Sequence, residues 1–264
     1  MMRRLDIQDV TIRFGSIEAV KEMSFHVGDD ELVALIGPNG AGKTALLNSI
    51  CGIYTPAEGD IVFDGTSLVG MRPDHIARRG VGRAFQHGEL FHGLSVIENL
   101  LVARGKDLPG SSWVAGAWLG PYRRAERQAL QEVEEIIDFF EIERYRHTQI
   151  GSLPFGVQKL VGVARALTTN PDILLLDEPS SGLTRQEKED FARYLLRIRL
   201  DRGTPVLWIE HDMQMVMDLA DRAVVLDYGR KIAEGPTHEV AQDPEVAAAY
   251  LGGDAEALAS AEGR

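Results

Sequence analysis

The chain has 264 residues, of which 44% are hydrophobic and 26% charged, and its formal net charge is −12. This composition is typical of a globular protein with material for one large domain or two modest ones. The acidic balance argues against a nucleic-acid partner, because such surfaces need a basic stripe. The single cysteine, Cys51, excludes an intramolecular disulfide and a cysteine-cluster metal site, and we expect it to be a buried apolar residue.

The first residues give no sign of a targeting segment. Met-Met-Arg-Arg-Leu-Asp leads directly into a strand pattern, whereas a signal peptide would have an apolar stretch there. No window approaches the roughly 18–20 apolar residues of a membrane span. We therefore expect the chain to stay in the cytoplasm.

The N-terminal region predicts a β-hairpin. Residues 5–14 alternate apolar and polar side chains, and residues 19–27 follow as a partner strand after a Gly-Ser turn. Phe14 ends the first strand. Its residue type alone favours an ordinary core or edge aromatic, but its position shortly before a glycine-rich loop favours stacking on adenine.

The glycine-rich loop predicts a nucleoside triphosphate site. It consists of Gly37, Pro38, Asn39, Gly40, Ala41, Gly42, Lys43 and Thr44, between an apolar run and a helical stretch. Glycines allow successive backbone N–H groups to point at phosphate oxygens, and the helix N-terminus adds partial positive charge. We expect Lys43 to contact the β- and γ-phosphates and the Thr44 hydroxyl to bind Mg²⁺.

A short strand, a helix and another strand are predicted next, over residues 59–65, 73–79 and 81–85. The last strand ends at Gln86, and a glutamine in that place is by default a solvated side chain. The pattern continues the α/β character of the chain.

The middle of the chain predicts an α-helical insertion. Ser95 begins a helix with a capping box, residues 105–122 have the composition of an irregular loop, and residues 123–140 have helical periodicity. Trp113 and Trp118 in that loop form either a local cluster or part of a partner-binding surface.

Two buried strands are predicted to end in polar residues. Residues 173–176 end at Asp177 and Glu178, where α/β sheets place their ligands. Asp177 fits the role of holding Mg²⁺ through water, and Glu178 could orient or deprotonate the attacking water. Residues 205–209 form the second strand, and His211 after it is a candidate γ-phosphate contact.

The other elements are assigned by periodicity. They are helices over residues 154–168, 185–202, 213–219 and 244–251, strands over residues 223–226 and 231–234, and a polar tail over residues 252–264.

With these segments in order, the chain resembles the nucleotide-binding subunits of ABC transporters over nearly its whole length. The matching stretches are Gly37–Thr44, Gln86, Leu153–Leu167, Ile173–Glu178, Ser180–Leu183 and His211. It is most similar to ATPases of branched-chain amino-acid importers, and those of urea importers and of lipopolysaccharide export are near neighbours. The closer similarity is carried by Phe155, Trp208–Met213, Val225–Gly229, Ile232–Gly235 and Pro244–Gly252.

The resemblance implies an α/β P-loop ATPase core with an antiparallel β subdomain and an inserted α-helical subdomain. It places the core at residues 1–86 and 160–235, the helical subdomain at residues 87–159, and a C-terminal helix and tail at residues 236–264. The whole chain would be one ABC ATPase domain.

The resemblance also implies how ATP would be used. Two ATPase subunits, either identical or paralogous, would meet head to tail, with each ATP between one subunit's phosphate loop and the other's Leu153–Val157 segment, here including Phe155 and Gly156. Glu178 would act as general base and His211 would contact the γ-phosphate.

Further implications concern Gln86 and the partners. Gln86 would contact Mg²⁺ and pass movement, with the helical insertion, to integral membrane permease subunits. A periplasmic or extracellular binding protein would take part indirectly, and the chain would lie on the inner face of the plasma membrane.

Three residues depart from the family pattern. Pro154 replaces the signature serine, Val157 replaces a glutamine or glutamate, and Thr184 replaces an aspartate or asparagine at the end of the D-loop, Ser180–Leu183. Proline suits a first helical turn but offers neither hydroxyl nor N–H. Of everything that the resemblance implies, these departures affect nucleotide-driven pairing of two subunits most directly.

Two other function classes would also use a phosphate loop. One is a soluble ABC-type ATPase that assembles iron–sulfur centres, which the chain length does not exclude. The other is a small-molecule kinase, which would leave Leu153–Leu167 and His211 without a role.

Overall fold

The computed structural model of the protein describes residues 3–84, 90–105 and 120–250, without the side chains of residues 3 and 120–123. The chain divides into two compact units. The first unit consists of Met1–Val81, Asp172–Glu178 and Leu195–Arg264, and the second consists of Gly82–Pro171 and Pro179–Tyr194.

The strands and helices of the described ranges follow in chain order. The strands are β1 (Arg3–Phe14), β2 (Ile17–Gly28), β3 (Leu32–Ile36), β4 (Glu58–Phe63), β5 (Thr66–Ser67), β6 (Val81–Ala84), β7 (Ile173–Asp177), β8 (Val206–Ile209), β9 (Arg222–Asp227) and β10 (Arg230–Pro236). The helices are α1 (Lys43–Ile50), α2 (Pro73–Arg78), α3 (Val96–Arg104), α4 (Gly120–Phe139), α5 (Phe155–Thr168), α6 (Arg185–Arg202), α7 (Met213–Leu219) and α8 (Thr237–Val240), and residues 244–250 are also helical.

The first unit contains an antiparallel sheet in the order β2-β1-β4-β5. The hairpin predicted from the N-terminal alternation is confirmed, since β1 pairs with β2 from Arg3 opposite Gly28 to Phe14 opposite Ile17. The short strand β5 was not predicted, because two residues carry no periodicity.

The same unit contains a mostly parallel sheet, in which β10, β9, β3, β8 and β7 are successive neighbours. Every residue of β3, β7 and β8 is buried, so these strands read as continuous apolar runs. The parallel register sets Asp177 opposite Ile209. The residues that follow β7 and β8 therefore emerge side by side at one edge of the sheet.

One apolar core joins the two sheets and α1 within the first unit. Leu5 and Val10 of β1, Leu46 of α1, and Val33 and Leu175 of the parallel sheet all belong to it, each with 0% exposure. This burial fixes where α1 begins relative to the strand ends, and so positions the loop before it.

The second unit is built around α3, α4 and α5, which pack against one another. The predicted capping box of α3 is confirmed, because the Ser95 amide donates to Glu98 Oε2 at 2.7 Å and the Glu98 amide to Ser95 Oγ at 3.5 Å. Arg104 ties the helices together by donating to the Thr168 carbonyl at 3.1 Å and pairing with Glu132.

The helix predicted over residues 185–202 is confirmed at both ends. The loop predicted over residues 105–122 is wrong for residues 120–122, which are the start of α4, because the apolar periodicity becomes regular only after the helix has begun. Trp113 and Trp118 lie outside the described residues.

Within the described ranges, no helix combines the length and the apolar character needed to cross a membrane.

Candidate nucleotide site

The loop between β3 and α1 depends on glycine for its backbone path. Gly37, Gly40 and Gly42 have φ angles of +144°, +82° and +101°. A Cβ added at Gly37 would overlap the carbonyl oxygen of Leu226, and one at Gly42 would overlap that of Ala19. A side chain is therefore excluded at both ends of the loop by conformation and by space.

Lys43 is held inside this loop. It is only 5% exposed, and its Nζ donates to the carbonyl oxygens of Gly37 at 2.7 Å and Pro38 at 2.9 Å. Burial lowers the pKa of the ammonium group, while the carboxylates of Glu178 and Asp177 act in the opposite direction. The two carbonyl contacts therefore hold the Lys43 amino group inside the loop.

The first turn of α1 presents backbone donors. Gly42 stands at the N-cap in a left-handed conformation, and among the described residues no side chain caps this turn. Helix N-terminal amides that no side chain has satisfied favour an anion. The loop glycines, the helix start and Lys43 together have the properties of a phosphate site.

Two carboxylates follow from the end of β7. Asp177 is 2% exposed, and Glu178 takes a left-handed φ of +48°, which is uncommon outside glycine. The Glu178 amide donates to the carbonyl of Ile209 in β8 at 3.0 Å, which fixes this turn against the neighbouring strand. The strand ends therefore determine where the Glu178 side chain points.

His211 contacts Glu178 directly. Its Nε2 lies 2.6 Å from Glu178 Oε1 across 33 positions of sequence. A histidine in this position can orient a carboxylate and take part in proton transfer. Sequence reasoning placed both residues at strand ends, and the structure adds that they touch.

The oxygen donors at this edge fit Mg²⁺. Thr44 is exposed at the first turn of α1, and Asp177 ends β7 in the same unit. A hydroxyl and a carboxylate are ligands of the type that Mg²⁺ prefers, alongside water and phosphate oxygens. Gln86, the third predicted ligand, lies outside the described residues.

Phe14 presents an aromatic surface at the end of β1. It is 43% exposed, and the Tyr54 ring meets it edge-on with centroids 4.9 Å apart and an interplanar angle of 82°. This contact supports the Phe14 ring and is compatible with stacking on a base. Tyr54 was not singled out in the sequence, since it lies 40 positions away without a motif.

The Leu153–Val157 segment forms the start of α5 in the second unit. Pro154 is the N-cap, so the helix begins one residue later than predicted, at Phe155. The Phe155 ring is 53% exposed, whereas Gly156 is buried. The Gln158 side chain donates to the Leu153 carbonyl at 2.9 Å and fixes the entry of the chain into the helix.

Glu187 was missed by the sequence reasoning and lies at this segment. It completes a capping box with Thr184 at the start of α6, with Oε2 2.8 Å from both the Thr184 amide and the hydroxyl. The pattern Thr184-x-x-Glu187 could have predicted this local contact. No local pattern could have predicted the contact of Glu187 with Gly156.

Tyr250 was also missed. Burial raises the pKa of its phenol to about 12, opposed by the backbone amide of Gly37. No hydrogen bond of good geometry to this hydroxyl is found among the described residues. The C-terminal helical segment therefore places an aromatic ring beside the first glycine of the phosphate loop.

The chain matches known proteins over most of its length. The family model described as ABC transporter matches residues 20–181, and one described as branched-chain amino acid ATP-binding cassette transporter matches residues 230–256. The high-affinity branched-chain amino acid transport ATP-binding protein BraF of Pseudomonas aeruginosa is 37% identical over 249 residues, covering 94% of this chain and 97% of BraF.

Solved structures agree. An ATP-binding cassette of an ABC transporter in its ADP conformation is similar with a TM-score of 0.83 and 29% identity, over 96% of this chain and 100% of that one. A dimeric ATP-binding cassette in a post-hydrolysis state, bound to ADP and phosphate, has a TM-score of 0.73 and 25% identity, over 88% and 98% of the two chains. The fold expected from the sequence is confirmed, and the chain belongs to the ABC transporter family as one of its ATP-binding cassettes.

Proposed function

We propose that this chain binds and hydrolyses ATP as the subunit that powers an ABC importer of branched-chain or other hydrophobic amino acids. The observation that carries the proposal is that Glu178, which contacts His211 at 2.6 Å, acts electrostatically on the buried Lys43 of the phosphate loop. The cargo is supported by the similarity to BraF over 94% of this chain and by the C-terminal family match.

The residues of the first unit have distinct roles in this proposal. The amides of Gly37–Thr44 and the Lys43 ammonium bind the phosphates, which places the γ-phosphorus at the strand ends. Glu178 takes the proton of the attacking water, and His211 holds the carboxylate through the 2.6 Å contact. Phe14 stacks on the adenine ring, with Tyr54 behind it.

Mg²⁺ belongs to the same proposal as a bound cofactor. Thr44, Asp177 and Gln86 would hold it, and it would neutralise phosphate charge when bound. The chain's own contribution is the oxygen donor set and the buried Lys43, which offsets negative charge from the other side of the loop.

The partners follow from the family. A second ATPase subunit, either another copy or a paralogue, would bring its Leu153–Val157 segment to the γ-phosphate, with Phe155 and Gly156 at the nucleotide. The helical subdomain at residues 87–159 and Gln86 would pass the movement to integral permease subunits. The complex would lie on the inner face of the plasma membrane and receive amino acids from a periplasmic or extracellular binding protein.

The test is purification of the tagged full-length chain from its native membranes, followed by identification of the proteins that accompany it. We expect integral permease subunits and Mg-ATP hydrolysis that rises when they are present. Lys43→Ala should retain these companions but lose ATP binding, because it removes the loop's cation without changing a protein-binding surface.

Purification with iron–sulfur assembly proteins and without membrane subunits would contradict the transport proposal. Companions typical of a urea importer or of lipopolysaccharide export would preserve the ATPase role and overturn the amino-acid cargo.

A further inference from the structure

Glu187 joins two segments that the proposed function places at the ATP of the partner subunit. Its Oε2 accepts hydrogen bonds from the amide and hydroxyl of Thr184, each at 2.8 Å, directly after the D-loop. Its other oxygen, Oε1, lies over Gly156 in α5, where an added Cβ would overlap it. One carboxylate therefore links the starts of α6 and α5.

The charge of Glu187 is stabilised at this place. Hydrogen bonds from the Thr184 amide and hydroxyl, and a further one from the Gly156 amide, lower the pKa of its carboxyl group. Gly156 is buried, although it follows Phe155, which is 53% exposed. The Gly156 amide is thus covered by an anion that belongs to the same chain.

A second contact holds the same two segments together. Gly182 of the D-loop has a φ of +80°, and a Cβ added there would lie 2.9 Å from the Phe155 ring. The D-loop glycine is therefore packed against the residue that precedes Gly156. The side chain of Glu187 can therefore move away from Gly156 while the D-loop and the start of α5 stay packed together.

The start of α5 attracts an anion for a physical reason. Helix N-terminal amides carry partial positive charge and favour a negative group within the first turn. Pro154 at the N-cap supplies neither a hydroxyl nor an N–H, so fewer donors remain. Two anions cannot share the Gly156 amide without strong like-charge repulsion.

We propose that Glu187 is an intramolecular competitor of the nucleotide: its carboxylate occupies the place at Gly156 that the γ-phosphate of the partner-bound ATP takes during pairing. This rests on the proposed function, which brings that phosphate to α5. Pairing then requires Glu187 to turn away from Gly156, and the energy of that step weakens the ATP-bound pair. Glu187 acts through Gly156 and is a positioning residue.

The test compares Glu187→Gln with Glu189→Gln in the full-length protein. The one carbonyl oxygen of glutamine can keep the capping-box hydrogen bonds with Thr184, while the substitution removes the charge and the second acceptor that faces the Gly156 amide. Glu189 lies on the same helix, exposed and paired with Arg185 at 3.2 Å, so its substitution removes an equal charge away from Gly156. Pairing is measured by sedimentation velocity with Mg²⁺ and ATPγS, and nucleotide binding is measured separately by tryptophan fluorescence.

We expect Glu187→Gln to lower the dissociation constant of the pair about tenfold, which corresponds to about 1.4 kcal/mol, while Glu189→Gln leaves it unchanged. The gain should shrink in high salt, because salt screens like-charge repulsion between partly exposed groups. A purely structural role for Glu187 would give no salt-dependent gain.

The proposal that Glu187 competes with the nucleotide is overturned if Glu187→Gln pairs like the unaltered chain or more weakly. It is also overturned if Glu187→Gln and the unaltered chain both bind ATPγS and neither of them pairs. If no variant binds ATPγS, the proposed ATPase function is contradicted, and the proposal about Glu187 that depends on it is contradicted as well. Pairing by Glu187→Gln alone would support the proposal in its strongest form.

Discussion

The phosphate loop and the Leu153–Val157 segment both precede a helix N-terminus, but only the second has its anion supplied by the chain itself. Each leads into a helix whose first amides favour an anion. At Gly37–Thr44 the glycines bare the backbone, and no described side chain caps α1. At α5 a proline takes the N-cap, and the carboxylate of Glu187 already lies over Gly156.

The two segments differ in the source of the anion, which is a ligand phosphate at the loop and the Glu187 carboxylate at α5. The phosphate loop adds a buried cation, Lys43, whose side chain donates hydrogen bonds to the carbonyls of Gly37 and Pro38. At the α5 segment the carboxylate of Glu187 already occupies the place of the anion. If the two proposals hold, we expect strong nucleotide binding at the first segment and binding that depends on pairing at the second.

The largest effect is expected from Glu178→Gln. Loss of the proposed general base should lower ATP hydrolysis by about 10²–10⁴-fold while ATP still binds, leaving the protein as a stalled ATP-bound pair. Phosphate release and nucleotide binding are the measurements. Glu239→Gln is the control, since Glu239 is an exposed carboxylate with His238 3.9 Å away. Near-normal turnover of Glu178→Gln would remove Glu178 from the base role.

The shape of the phosphate loop is tested by Gly42→Ala against Gly40→Ala. Both glycines have positive φ, but a Cβ at Gly42 would overlap the Ala19 carbonyl, whereas one at Gly40 meets nothing within 4 Å. Both changes should lower the free energy of unfolding by about 1–2 kcal/mol from the left-handed conformation alone. Gly42→Ala should lose more stability and most nucleotide binding, as measured by urea unfolding and fluorescence; equal effects would contradict the loop geometry.

The α5 segment is tested by Pro154→Ser. The serine restores a hydroxyl and an N–H at the N-cap, and a charge-assisted hydrogen bond contributes about 1.5–3 kcal/mol, so pairing with ATPγS should tighten about 10- to 100-fold. Light scattering measures the pairing. Ser152→Ala, at an exposed position before the segment, is the control. Unchanged or weaker pairing would refute a role for the missing donors.

The smallest effect is expected from Phe14→Ala. Removing the ring should weaken ATP binding about three- to tenfold, because an aromatic pair contributes about 0.5–1.5 kcal/mol beyond its buried area. Ile17→Ala is the matched control, since Ile17 lies opposite Phe14 in the hairpin and is 68% exposed. Equilibrium binding of ATP measures both, and Phe14→Trp should preserve affinity. Equal affinity of Phe14→Ala and the unaltered chain would show that the ring does not stack on the base.

Local pattern was sufficient for much of the fold and for the phosphate loop. Alternation predicted β1 and β2, continuous apolar runs predicted β3, β7 and β8, and helical periodicity predicted α6. These signals are readable because each arises from neighbours in sequence. The octet Gly37–Thr44 is of the same kind, since its glycines and its lysine act within eight consecutive residues.

Tertiary structure decided which distant residues meet. The contact of His211 with Glu178 exists because β7 and β8 pair in parallel with Asp177 opposite Ile209, which brings the two strand ends together. Glu187 reaches Gly156 only because α5 and the start of α6 fold into the same unit. Contacts between residues so far apart in sequence cannot be predicted from local spacing, because the burial of apolar faces elsewhere in the chain sets the register of strands and helices.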